Sequence, residues 1–212
     1  MMASLDAFSI TLRGKSCHAS MPENGADPVV AAAQLMLALQ TIPARRLFPL
    51  ASAVVSITQI NGGEAINVIP EDMVLRGTLH CLQSDVQVKV RKMIDEFFTD
   101  LTAPLGIVGN ITYLTDYPVT CNHAAEAEKV KNCALALLPA GQVDCLYGLR
   151  GLCLYAGSLP WCLFLDSADS TTPSRPLHNA YYDFNDDIIA EGVALWTGLA
   201  EQLLPLKQAP QP

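Results

Sequence analysis

The sequence is short of charge, short of basic residues in particular, and without a long apolar run; each shortage closes off a class of protein. Only 16% of its 212 residues are charged while 50% are hydrophobic, which excludes an intrinsically disordered chain and leaves enough apolar side chain for a real core. Lys and Arg number 13 against 21 Asp and Glu, for a net charge of -8. With no basic tract, a nucleic-acid or anionic-membrane surface is excluded. The longest apolar runs, such as Val29–Leu39 and Leu152–Ala156, are too short or too interrupted to span a bilayer, which takes about 20 residues. Met1-Met2-Ala3-Ser4-Leu5-Asp6 lacks a basic segment followed by an apolar core, so no secretory leader is expected. The seven cysteines are scattered and form no C-x-x-C pair, which argues against a disulfide framework and a zinc ribbon alike. Reduced thiols in a soluble cytoplasmic protein are the expectation.

What is present is organised around Gly14-Lys15-Ser16-Cys17-His18-Ala19-Ser20-Met21-Pro22. Before it, Phe8–Arg13 alternates apolar and polar residues, the period of a strand with one buried face. After it, Asp27-Pro28 opens a helix, with Asp as N-cap and Pro in the first turn, where its missing N–H costs nothing. His18 thus sits in a strand-to-helix connection, where a side chain reaches a ligand without disturbing a core. From the residues alone it is either a ligand-binding group or a loop His that hydrogen-bonds its own backbone.

The helix from Pro28 runs to Thr41 and stops at Pro43. Ala51–Ile60 is rich in β-branched residues and closes on Asn61-Gly62-Gly63, a strand and a turn. Asp72–Leu82 alternates again, and the two strands read as an antiparallel pair joined through Asn67-Val68-Ile69-Pro70. Ser84-Asp85 caps a second helix, with Val86, Val90, Met93, Ile94, Phe97, Phe98 and Leu101 at three- and four-residue spacing. Gly106 ends it, and Ile107–Leu114 is a strand. The order strand, helix, strand, strand, helix, strand is the split βαβ pattern of an α+β, ferredoxin-like sandwich: a four-stranded antiparallel sheet with both helices on one face.

The pattern breaks at Asp116-Tyr117-Pro118, which divides the chain into domains 1–117 and 118–212. The second part is predicted to hold a helix over Ala124–Leu138, a short helix or loop over Gly148–Tyr155, a strand over Trp161–Leu165, and a polar loop over Asp166–Arg175. A last helix is expected from Asn185 to about Leu204, with Asp186 and Asp187 at its positive end, before a Pro-containing tail. No sheet is complete within it, so it reads as part of a domain, with apolar strand edges about Trp161–Leu165 that invite a partner.

Four landmarks resemble the aminoacylase, hippurate hydrolase and carboxypeptidase G family of metal-dependent amidohydrolases. The His18 stretch followed by Asp27-Pro28-Val29-Val30-Ala31-Ala32 is similar to the start of that family's lid domain. Gly62-Gly63, Asn67-Val68-Ile69-Pro70 and Leu75-Arg76-Gly77-Thr78 resemble its middle. Tyr117-Pro118-Val119-Thr120-Cys121-Asn122 resembles the return into the catalytic domain, and Pro176-Leu177-His178-Asn179 with Asp183-Phe184 the last active-site loop. The resemblance implies an α/β metallopeptidase catalytic domain with the ferredoxin-like lid inserted in it, and a homodimer formed through the lid. It implies hydrolysis of a small N-acyl amino acid, with a pair of divalent metal ions, zinc among the candidates, activating water and a Glu as general base. By the same resemblance His18 and Asn67 bind the substrate's carbonyl or carboxylate in the active site of the partner subunit, and His178 is a metal ligand. By their residues alone, Asn67 reads equally as a turn residue and His178 as a loop His.

The departures from the family bear on mechanism. The catalytic half that precedes the lid, with most metal ligands and the general base, is not in these 212 residues, and one His cannot hold a catalytic zinc, which needs about three protein ligands. Gly148-Leu149-Arg150-Gly151-Leu152 stands where relatives carry a carboxylate-bearing motif; His80 stands where they usually place an Arg, and Glu23 where they often have His. No complete catalytic set is expected in this chain, nor stable metal binding by it alone. Three uses stay open: a truncated amidohydrolase silent by itself, one half of a two-chain enzyme, and a non-enzymatic dimerisation module.

Overall fold

A computed structural model of the chain describes residues 2–138, 148–149, 162, 179–183, 186 and 188–204. Two compact units divide at Cys121/Asn122, the short strand Gly148–Leu149 going with the first.

The first unit is built on four long strands, β1 (Leu5–Arg13), β2 (Ala53–Gly62), β3 (Asp72–Cys81) and β4 (Val108–Tyr117), and two helices, α1 (Pro28–Thr41) and α2 (Ser84–Thr102). The strands form one antiparallel sheet in the order β2-β3-β1-β4. This is the ferredoxin-like arrangement that the alternation of strand and helix periods implies, and the fold class is α+β. Along β1, Asp6, Phe8, Ile10 and Leu12 are buried while the residues between them are half-buried, so the helices cover one face. Phe8, Ile10, Leu12, Leu75 and Leu79 of the sheet pack with Leu35 and Leu39 of α1 and Val90 and Ile94 of α2.

Local chemistry accounts for the joints. Asp27 caps α1 by accepting from the Val29 and Val30 N–H groups at 2.8 and 3.3 Å, as its sequence predicts. Gly106 takes φ 68° after the turn that follows α2, a left-handed conformation that suits glycine. Gly77 lies in mid-strand, where a Cβ would meet the backbone oxygen of Ser56 and stand 2.8 Å from Phe8 Cζ. Its missing side chain leaves room for the Phe8 ring.

Several expectations are corrected. Ser84 does not cap α2; it is the first helical residue, and Gln83 occupies the cap without a side-chain hydrogen bond. Pro43 does not stop the first helix, because the chain continues through one π-turn, Ile42–Arg46, before leaving it. Strand β1 begins at Leu5 rather than Phe8. Gly148–Leu149, expected in a helix or loop, is a two-residue strand parallel to Met2–Ala3. The predicted strand Trp161–Leu165, apart from Cys162, and the loop Asp166–Arg175 lie outside the described residues, as does Asn185.

In the second unit, α3 (Ala124–Leu137) and α4 (Ile188–Leu203) share a small core of Cys133, Ala134, Leu195 and Leu199, with Val130 and Leu138 beside it. No helix among the described residues is long and apolar enough to cross a membrane.

Candidate functional site

His18 and Asn67, 49 residues apart in the chain, meet on one small ribbon. Cys17–His18 pairs antiparallel with Val68–Ile69, with His18 opposite Val68, and the Ala19 N–H donates to the Asn67 carbonyl at 2.9 Å. Beyond His18 the chain turns tightly, the Met21 N–H donating to the His18 carbonyl at 2.8 Å. Both site residues are exposed.

Within that turn the Ser20 N–H donates to His18 Nδ1 at 3.1 Å, and the Ser20 hydroxyl lies 2.9 Å from the same nitrogen. A backbone N–H can only donate, so Nδ1 is the acceptor and the neutral ring carries its proton on Nε2. Of the two readings left open for His18, the structure shows the tie to the local backbone through Nδ1, and that tie leaves Nε2–H as the ring's donor. Ser20 is the residue the sequence reading missed, because its part is played by a main-chain N–H. Asn67 is a turn residue by its backbone, and its exposed side chain stands on the same ribbon. His178 lies outside the described residues.

A second polar group at the base of the sheet also escaped the sequence reading. Asp6, fully buried, accepts two hydrogen bonds from Gln87 Nε2 at 3.1 and 3.0 Å and pairs with Arg91 Nη2. The same Nη2 reaches Asp116 at 2.9 Å, and the guanidinium lies over the Tyr113 ring, 4.7 Å from its centroid. Burial raises the Asp6 carboxyl above its ordinary pKa, with Gln87 and Arg91 pulling the other way. For Arg91, desolvation pulls down but the two carboxylates hold the guanidinium above its ordinary value. The signal was an Asp on the buried parity of the first strand, two residues before Phe8. Asp6 and Asp116 face each other across β1 and β4, where the chain enters and leaves the sheet, so the cluster fixes the sheet's base. Nearby, burial and the Asp6 carboxylate push the Cys81 thiol up to about 12; it is a core side chain, not a nucleophile.

Among the described residues no group of three or more His, Cys, Asp or Glu side chains is placed to hold a metal ion. These residues do not by themselves fit the family's metal pair. His80 is occupied by the Ser4 carbonyl, 3.0 Å from its Nδ1. Two surface depressions, one of about 290 Å³ beside Cys133, Leu137 and Gly198 and one of about 360 Å³ beside Leu47, Phe48 and Val86, include neither His18 nor Asn67. The ribbon lines neither depression.

Comparison with known proteins gives the family of this ferredoxin-like domain. The family model described as a peptidase dimerisation domain matches residues 4–104. The hippurate hydrolase of Campylobacter jejuni is 30% identical over 218 residues, covering 96% of this chain and 54% of its own length. The N-acetyl-L-cysteine deacetylase of Bacillus subtilis is 36% identical over 134 residues, 63% of this chain and 32% of its own. A dinuclear metal-binding peptidase of the M20 family from Bacillus subtilis superimposes with a TM-score of 0.65 at 21% identity, over 96% of this chain and 51% of that one. The chain is a homologue of the M20-family amidohydrolases and carries their dimerisation domain. It spans about half the length of the hippurate hydrolase and carboxypeptidase relatives that it matches almost throughout.

Proposed function

We propose that this chain serves the hydrolysis of an N-acyl amino acid as the lid, residues 1–117, and part of the catalytic domain, residues 118–212, of a metal-dependent amidohydrolase, and that alone it does not turn over. The carrying observation is the orientation of His18: with Nδ1 held by the Ser20 N–H, Nε2–H is an exposed donor suited to a substrate carbonyl or carboxylate and to the charge that develops on it. Asn67, whose carbonyl accepts from the Ala19 N–H, is exposed on the same ribbon. Relatives named for hydrolysing N-acyl amino acids support the substrate class.

Exposed at His18 and Asn67, the lid suits use in the active site of a second subunit, and the family match as a dimerisation domain supports a homodimer. The metal chemistry, activation of water and polarisation of the carbonyl, requires ligands beyond the described residues, to which this chain brings at most His178. Free thiols at Cys17, Cys81, Cys121 and Cys133 suit a cytoplasmic protein.

The test is an assay with hippurate and N-acetyl amino acids in the presence of zinc. The isolated chain is expected to show no turnover. A chimaera in which this chain replaces its matching stretch in the Campylobacter jejuni hippurate hydrolase is expected to hydrolyse hippurate. His18→Gln in that chimaera should lower kcat by on the order of 100-fold with an unchanged melting temperature, the cost of one oxyanion donor. Turnover by the isolated chain at the rate of intact relatives, or a chimaera indifferent to His18→Gln, would overturn the reading.

A further inference from the structure

Three large apolar side chains stand in the open beside His18 and Asn67. Two tight turns are joined on the ribbon: one runs from His18 to Met21, and the other from Ala65 to Val68, closed by the Val68 N–H donating to the Ala65 carbonyl at 3.3 Å. Met21 ends the first turn and is 51% exposed; on either side of Asn67, Ile66 is fully exposed and Val68 is 41% exposed. Val68 stands opposite His18 in the register, so their side chains share a face, with Cβ atoms about 5 Å apart. The charges that accompany them are of one sign: Ser16–Gly25 and Asn61–Pro70 carry Glu23 and Glu64 and no Lys or Arg.

The connectivity of an N-acyl amino acid says which part of it such a surface meets. Its side chain branches from the Cα, between the amide and the carboxylate, whereas the acyl group leaves the carbonyl in the other direction. His18 and Asn67, taking the carbonyl and the carboxylate from one ribbon, therefore bring the amino-acid side chain, not the acyl group, against the residues between and beside them. An apolar surface favours an apolar side chain through burial. A side-chain carboxylate would lose water there and find no cation in either segment. We infer that Ile66 and Val68, with Met21, select the amino acid that is released, and that the substrates are N-acyl derivatives of amino acids with apolar side chains rather than of Asp or Glu. This rests on the reading of the ribbon as part of a substrate site, and it adds which half of the substrate the ribbon reads.

The test gives the chimaera with the hippurate hydrolase benzoyl-glycine, benzoyl-leucine and benzoyl-aspartate, which share an acyl group and differ in the amino acid. The kcat/KM for benzoyl-leucine is expected to exceed that for benzoyl-aspartate on the order of 100-fold. Ile66→Ala should lower the leucine-to-glycine ratio of kcat/KM about tenfold, and losses of folding or of His18 orientation cancel in that ratio. Ile66→Lys, at a fully exposed turn position, should raise the aspartate-to-leucine ratio about tenfold or more. Ratios unmoved by both variants would overturn the inference, as would a change that follows the acyl group when acetyl-leucine is compared with benzoyl-leucine. So would a homodimer weakened by Ile66→Lys while the ratios stay fixed, since the residue would then belong to a subunit contact. A chimaera that hydrolyses none of the three, or that is indifferent to His18→Gln, would sink the proposed function and this inference with it, whereas hydrolysis with unmoved ratios sinks this inference alone.

Discussion

The residue that carries most structural weight in the first unit is Arg91, because it neutralises a carboxylate with no access to water. Asp6 is fully buried, and its ion pair with Arg91 and two bonds from Gln87 are what make that tolerable. Removing the cation strands the charge, and breaking a buried pair from one side costs 3–5 kcal/mol; with Arg91 partly exposed, the low end applies. Arg91→Met is therefore expected to destabilise the chain by about 3 kcal/mol in urea unfolding, and adding Asp6→Asn should recover part of that loss. A double mutant no better than the single would show that the pair is not the cause. The pH dependence has a definite sign. Burial raises Asp6 above its ordinary 3.8, so between the unfolded and folded pKa values the folded chain binds more protons, and stability falls as pH rises through that window. Asp6→Asn should flatten this part of the stability profile, and a slope that persists in the variant would assign it to another group. Gly77 makes a separate point: its Cβ would collide with the Ser56 backbone and crowd Phe8, so Gly77→Ala should cost about 1–3 kcal/mol in the same measurement.

At the scale of elements, β4, with Val108, Leu114 and Tyr117 exposed, is one edge of the sheet, and the other is β2. It has β3 on one side only, and Val54 and Ile60 stand exposed along it, an arrangement that invites a further strand. A lysine at either position blocks such pairing, so Val54→Lys and Ile60→Lys are expected to weaken the proposed homodimer at least tenfold, about 1.4 kcal/mol, in analytical ultracentrifugation. Dimerisation unaffected by both would place the contact elsewhere on the domain. The elements themselves were legible in sequence, since period-two alternation, the Asp27-Pro28 start and the spacing of Val86, Val90 and Ile94 are local patterns. The pairing of Cys17–His18 with Val68–Ile69 was not, because it joins segments some fifty residues apart through two residues each, too few to show a period. The resemblance of motifs put His18 and Asn67 in one role, and the geometry then showed how Ser20 orients the imidazole. Asp6 was missed for a different reason: starting the strand at Phe8 left out the one charged residue on its buried parity.

The two units of the molecule are unequal in what holds them. Among the described residues, the first buries seventeen apolar side chains in one cluster drawn from β1, β2, β3, both helices and the joints beside them, among them Phe8, Ile42 and Met73. The second buries four, of which only Leu195 and Leu199 are large, and full burial of such a side chain contributes on the order of 2 kcal/mol. Helices of 14 and 16 residues draw most of their stability from packing rather than from propensity. Two helices whose described core is four residues should therefore unfold well before the sheet does. In hydrogen exchange of the isolated chain, amides of β1, β3 and α2 should exchange only through global unfolding, and those of α3 and α4 at least about 100-fold faster through local opening. Urea titration followed by peptide-level exchange should show the helices of the second unit released at lower denaturant than the first. A single transition with uniform protection would mean that residues 119–212 have found a packing of their own.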